Sequence, residues 1–218
     1  MGSDNLFKKR KARKAESLKR TRAKRDSYAT VLIVCEGEKT EPNYFTELRD
    51  DLKLNTANIR ITGDTDGSSP MDVVNYGFKH FKEYDRTFCV FDKDRHTNYQ
   101  QALNKIRDKK QPKVHVLQAI TSVPCFEFWL LLHFRKTTKN FDTGPGSICD
   151  RVISKLEAYL PGYAKGRKGI YRQTKEKLDT AIKNAAEVAA HCKNAGTDHP
   201  STQIHELIVF LQKLRSDK

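Results

Sequence analysis

The sequence predicts an α/β protein: a mostly parallel sheet flanked by helices, a C-terminal helical layer and a disordered basic N-terminal tail. Three observations carry this expectation. Two apolar runs, Val31-Leu32-Ile33-Val34-Cys35 and Thr87-Phe88-Cys89-Val90-Phe91, are rich in β-branched and aromatic residues and read as strands buried on both faces. Strand and helix patterns alternate from Thr30 to Leu117, as expected for parallel strands joined by right-handed crossovers. Beyond Pro124 only helical periodicity remains.

The elements follow in order. A strand at about Thr30 to Cys35 leads to a helix opening at Glu41-Pro42, where proline suits the first turn and Tyr44, Phe45, Leu48 and Leu52 form one apolar stripe. A short strand at Ile59 to Thr62 precedes the polar loop 63–68. That loop has two aspartates but lacks the ligand series of a calcium-binding loop. Ser69-Pro70 gives an N-cap and a proline at N1, and Met71, Val74, Phe78 and Phe81 supply the apolar face that follows. The second acidic strand, Arg86 to Phe91, is followed by a helix near 98–109 and by a strand at Lys113 to Leu117.

The segment 124–134 is apolar on nearly all sides and reads as a buried helix. A polar stretch, 135–146, links it to helices near 147–160, 174–193 and 202–215. The expected organisation is a tail over 1–27, a core over 28–135 and a helical part over 136–218 packed on that core.

Charge is concentrated at the start. The net charge is +14, and residues 1–25 hold eleven Lys and Arg against Asp4 and Glu16, leaving +9 there and +5 elsewhere. Such a segment buries nothing and is expected to be disordered. It reads as a nucleic-acid-binding arm, with a solubility tail as the bland alternative. No apolar run approaches the ~20 residues of a membrane span, and no apolar stretch follows the basic residues as in a secretory signal. The five cysteines show no Cys-x-x-Cys spacing, which argues against disulfides and zinc and fits a reducing cytoplasm.

The chemistry sits at the strand ends. Glu36 follows the first strand and Asp92-Lys93-Asp94 the third. In an open α/β sheet, sites form just beyond the carboxyl ends of such strands. Neighbouring strands would deliver Glu36, Asp92 and Asp94 to one crevice, and three carboxylates there need a compensating cation. Oxygen-only ligands favour Mg²⁺ or Mn²⁺. Each motif alone is weak, since a glutamate after a strand often caps a helix and Asp-x-Asp is common in surface turns.

Together, in this order and at a βαβ-sized interval, they resemble the TOPRIM domain of primases, topoisomerases and OLD-family nucleases. The resemblance identifies Glu36 with that family's glutamate and Asp92 and Asp94 with its Mg²⁺-binding aspartate pair. Val34-Cys35-Glu36-Gly37-Glu38-Lys39-Thr40-Glu41-Pro42-Asn43-Tyr44-Phe45, Phe91-Asp92-Lys93-Asp94-Arg95-His96, the run from Pro124 to Phe134, Gly162-Tyr163-Ala164-Lys165 and Pro200-Ser201-Thr202 with His205 resemble the RloB (abortive-infection) branch of TOPRIM proteins, over about 28–212. Val123 and His199 stand where that family usually has Asn.

The resemblance implies a TOPRIM-like catalytic core and a Mg²⁺-dependent nuclease. It also implies an anti-phage role beside a separately encoded ATPase. This chain has no phosphate-binding Gly-x-x-x-x-Gly-Lys-Ser/Thr loop and is not expected to hydrolyse ATP itself. RNA, tRNA in particular, is the first substrate expectation, and a non-catalytic nucleic-acid-binding adaptor is the alternative. Glu41, one turn into the first helix, is either a further metal ligand or a favourable charge at the helix N-terminus. Glu127, the acid of the apolar helix, faces the site or salt-bridges a basic neighbour. Lys165, with Arg167 and Lys168, either holds the scissile phosphate or belongs to a solvated basic loop. His96 is a weaker candidate for the site rim, and His205 reads as structural.

Overall fold

The structure, a computed structural model, describes residues 29–93 and 96–216. The basic tail and Asp94, both singled out by the sequence, lie outside the described residues. The fold is α/β. Strands β1 (Val31–Cys35), β2 (Ile59–Thr62), β3 (Arg86–Asp92), β4 (Val116–Val123) and β5 (Ser201–Thr202) form one sheet in the order β2-β1-β3-β4-β5. The first four strands are parallel, and β5 pairs antiparallel with β4 through Ser122–Thr202 and Val123–Ser201.

Alternation along the strands builds two cores. Val31, Ile33 and Cys35 of β1, with Phe88 and Val90 of β3, face one side; Leu32 and Val34, with Cys89 and Phe91, face the other. The second side is covered by α2 (Pro70–His80) and α3 (Tyr99–Asp108). On the first side lie α1 (Thr40–Asp51) and α4 (Phe126–Leu132). The C-terminal helices α5 (Ile148–Glu157), α6 (Ile170–Thr174), α7 (Leu178–Ala195) and α8 (Ile204–Ser216) join them there. Every residue of α4 is buried, as its uninterrupted apolarity requires, with Trp129 the largest fully buried side chain.

Four sequence expectations need correction. The fourth strand begins at Val116 rather than Lys113 and runs to Val123. Its start is held by Gln111, whose side-chain amide accepts from Leu117 N–H and donates to Leu117 C=O, while Gln118, Thr121 and Ser122 mask the strand's apolar character. Strand β5 was not expected, since two residues leave no period to read. The helix expected from Thr174 starts only at Leu178: a short helix, α6, ends at Thr174, and a 3₁₀ turn at Lys175–Lys177 precedes α7.

The contact face of α2 also differs. Val73, Val74 and Gly77 are buried, while Met71 and Phe78 are only partly so. The helix approaches the sheet through Gly77, where a Cβ would stand 2.6 Å from Cys89 Sγ. The expected cap is present: Ser69 accepts from Asp72 N–H and Asp72 accepts in return, a capping box.

Candidate active site

Strands β1 and β3 are neighbours with Cys35 opposite Val90, so Glu36 and Asp92 emerge side by side. The ladder continues one step further, Glu36 N–H donating to Val90 C=O at 3.0 Å. Glu36 Oε2 then accepts from Asp92 N–H at 2.9 Å, and its Oε1 lies 2.7 Å from His96 Nε2. Asp92 Oδ2 accepts from the N–H of Phe126, the first residue of α4, at 3.0 Å. Two strand ends and a helix start are thereby held together by carboxylates.

Glu41, in the first turn of α1, folds back over Gly37. A Cβ on Gly37 would stand 2.2 Å from Glu41 Oε2, so only glycine leaves room for that carboxylate. Glu41 is 7% exposed, and its Oε2 is buried without a hydrogen-bond partner. Glu127, 1% exposed, accepts from Tyr163 O–H at 2.9 Å and has Lys165 Nζ at 3.7 Å.

The four acids share one electrostatic field. Burial pushes the Glu41 carboxyl up to about 7, against its backbone hydrogen bond and with help from the negative charges of Glu127 and Glu36. Burial likewise holds Asp92 well above the usual carboxylate range, reinforced by Glu41, Glu127 and Glu36 and opposed by the Phe126 N–H. Burial lowers Lys165, but Glu127 and the surrounding acids outweigh it and hold the ammonium above its ordinary value. Tyr163 is raised by burial and by Glu127.

A buried carboxylate oxygen without a donor is costly, and here it stands among three more acids. A proton or a cation is what such a place takes, and an all-oxygen donor set matches Mg²⁺ or Mn²⁺. Among the described residues no three His, Cys, Asp or Glu side chains already stand in metal-holding geometry. Glu36 is turned toward His96, and Glu127 toward Tyr163 and Lys165. Glu41 and Asp92 are the described residues that best fit a metal.

The position of Lys165 comes from a contact that sequence reasoning missed. The segment 163–175 runs along the polar face of α1. Thr40 Oγ1 accepts from Gly166 N–H at 2.8 Å, and Asn43 donates to Gly166 C=O at 3.0 Å. Further along, Glu47 accepts from Gly169 N–H at 2.5 Å, and Asp51 accepts from Tyr171 O–H at 2.9 Å. Polar residues at 40, 43, 47 and 51 recur at helical spacing, and that is the signal available in the sequence.

Gly166, at φ +77°, supplies the left-handed turn after Lys165. Arg167 donates to Gly162 C=O at 3.1 Å and so serves its own loop, while Lys168 is exposed. His205 Nδ1 lies 3.1 Å from Thr202 C=O, a structural contact, and His96 stands at the rim against Glu36. Tyr163 is a site residue the sequence did not nominate for itself.

Gly63, at the end of β2, is a second glycine of this site. A Cβ there would meet Gly37 C=O at 2.3 Å and Glu38 Cα at 2.8 Å, both backbone, so the Glu36–Glu38 loop itself would have to move. Gly63→Ala is expected to lower the melting temperature, equivalent to about 1–3 kcal/mol of overpacking, and to weaken the thermal response to Mn²⁺. Unchanged melting with and without Mn²⁺, read by scanning fluorimetry, contradicts this packing.

A family model described as RloB-like protein matches residues 31–211, most of the chain. No curated protein and no solved structure matches.

Proposed function

The chain belongs to the RloB-like protein family, and from that premise we propose that it is a Mg²⁺- or Mn²⁺-dependent endonuclease of TOPRIM type. Its substrate class is nucleic acid, with RNA and tRNA first. Its setting is a cytoplasmic anti-phage abortive-infection system with a separately encoded ATPase. The observation that carries the chemistry is the convergence of Glu36, Glu41, Asp92 and Glu127 at the carboxyl ends of β1 and β3, with Glu41 Oε2 buried and unpartnered. The motif resemblance to TOPRIM proteins adds the substrate class, and the resemblance to the RloB branch adds the ATPase. No helix of the described residues is long and apolar enough to cross a membrane.

Asp92 and Glu41 would hold the metal, joined by Asp94 from the same motif. When bound, the ion supplies charge neutralisation at the phosphate and a lowered pKa for the attacking water. Glu36, fixed by the Asp92 N–H and His96, is placed to accept a proton from that water, and His96 steadies the carboxylate. Lys165 is 57% exposed and stands at the mouth, where its ammonium meets a non-bridging phosphate oxygen. Tyr163 and Lys165 together hold Glu127 in one orientation. Phe126, whose N–H holds Asp92, is buried beside these acids.

One observation favours the adaptor reading. Glu36 has His96 and Glu127 has Tyr163 and Lys165, so two of the four acids are satisfied without metal. Incubating the full chain with total tRNA, single-stranded DNA and duplex DNA, in Mg²⁺, Mn²⁺ or EDTA, separates the two. Cleavage that requires metal is expected, with tRNA cut first. Metal-independent binding with no cutting of any substrate, with the ATPase partner present as well, supports the adaptor and sinks the nuclease.

A further inference from the structure

A prominent groove lies outside the carboxylate crevice. It is an open groove of about 980 Å³ between the extended loop 135–146 and the outer face of α5. Helical spacing builds the α5 wall: Cys149, Val152 and Leu156 turn into the core, so Asp150, Arg151, Ser154, Lys155 and Ala158 face out. The loop wall brings Arg135 and Lys139. Four cations therefore line the groove against Asp150 alone.

Arg151 is committed to the loop, donating to the carbonyls of Phe141, Gly144 and Gly146 and so fixing the shape of the far wall. Arg135, Lys139 and Lys155 make no ion pair among the described residues. At the rim Tyr159, 39% exposed, stacks on Phe134 with the rings 8° from parallel and their centroids 5.2 Å apart, leaving an aromatic surface to solvent.

Contacts within the chain link the walls of the groove to the acids. Leu131, on its floor, is four residues from Glu127 along α4, a rise of about 6 Å. Asp142 of the loop lies 3.3 Å from His199, and the adjacent Asp198 pairs at 2.8 Å with Lys93, next to Asp92.

We propose that this groove holds the sugar-phosphate backbone of a single-stranded nucleic acid as it leads to the carboxylate crevice. This rests on the nuclease reading and names the path of its substrate. Unpaired cations on both walls suit a polyanion, and an exposed aromatic ring offers a stacking platform to an unpaired base. A free nucleotide fits less well. The helix N-terminus at the groove, that of α5, is closed by a capping box in which Ser147 Oγ takes the Asp150 N–H and Asp150 takes the Ser147 N–H, and the Asp150 carboxylate there repels a terminal phosphate.

The test is binding of a fluorescein-labelled single-stranded RNA to the full chain in EDTA, where metal-dependent cutting does not run. Its result therefore stands apart from whether cleavage exists. Lys139→Glu with Lys155→Glu is compared with Lys110→Glu with Lys113→Glu, an equal charge change before β4 at the opposite end of the strands. The groove pair is expected to weaken binding about tenfold or more and to flatten the slope of log affinity against log salt by about 1.4, two single-strand phosphate contacts. The control pair changes both far less. Equal losses in the two double variants, no loss in the groove pair, or tighter binding of a duplex of the same sequence overturns the proposal. The four lysines are exposed, and an unchanged circular dichroism melt confirms that each variant is folded.

Discussion

Asp92→Asn is expected to abolish metal-dependent cleavage, by more than about a hundredfold, while leaving the fold intact. Residues that merely orient metal ligands already contribute 10–100-fold in affinity or activity, and a ligand itself contributes more. The fold survives because asparagine keeps the oxygen that accepts from Phe126 N–H. It also removes a charge that Glu41, Glu127 and Glu36 oppose. The variant should therefore melt no lower than the parent in EDTA. An active Asp92→Asn enzyme would place the chemistry elsewhere.

The second expectation concerns pH and metal together. Glu41 is raised to about 7 in the folded chain, well above an ordinary carboxylate, so the folded state holds this proton more tightly than the unfolded state. The stability it contributes is full below pH ~4.5 and is lost as pH rises through about 7. Asp92 is shifted the same way and adds in the same direction. In EDTA the melting temperature should fall between pH 5 and pH 8, by an amount equivalent to roughly 1–3 kcal/mol.

Mg²⁺ or Mn²⁺ replaces the proton, so the stabilisation by metal should be largest at pH 8 and vanish near pH 5. Glu41→Gln keeps the shape of the side chain and removes the charge. It should melt above the parent at pH 8 in EDTA, show a flatter pH dependence and lose most of the response to metal. A Glu41→Gln variant that melts lower at pH 8 and still responds to Mn²⁺ contradicts this account.

What could be read from the chain depended on how local the determining contacts are. Glu36 and Asp92 were legible because a buried strand announces itself in a few residues and its carboxyl end is where side chains leave the sheet. Glu41 was ambiguous, since an acid in a first helical turn fits a metal and a helix dipole equally. The structure shows where the side chain points: Glu41 Oε2 fills the space that the missing side chain of Gly37 leaves. Of the two readings of Glu127, the structure shows the basic neighbour, Lys165, while its charge also acts on Asp92.

The alignment of 163–175 along α1 was not legible. Its hydrogen bonds join residues more than a hundred positions apart and depend on backbone groups of Gly166 and Gly169 that carry no side-chain signature. The same reason hid β5, a two-residue strand defined only by its partner β4.

The central claim is that Glu41 and Asp92 form a divalent-metal site. Calorimetric titration of Mn²⁺ into the full chain at pH 7.5 and pH 5.5 tests it most directly, with Glu41→Gln and Asp92→Asn alongside. Saturable binding at pH 7.5 is expected, weakened at pH 5.5 and lost or strongly reduced in both variants. Binding absent from the parent chain, or unchanged in the two variants, would contradict the claim.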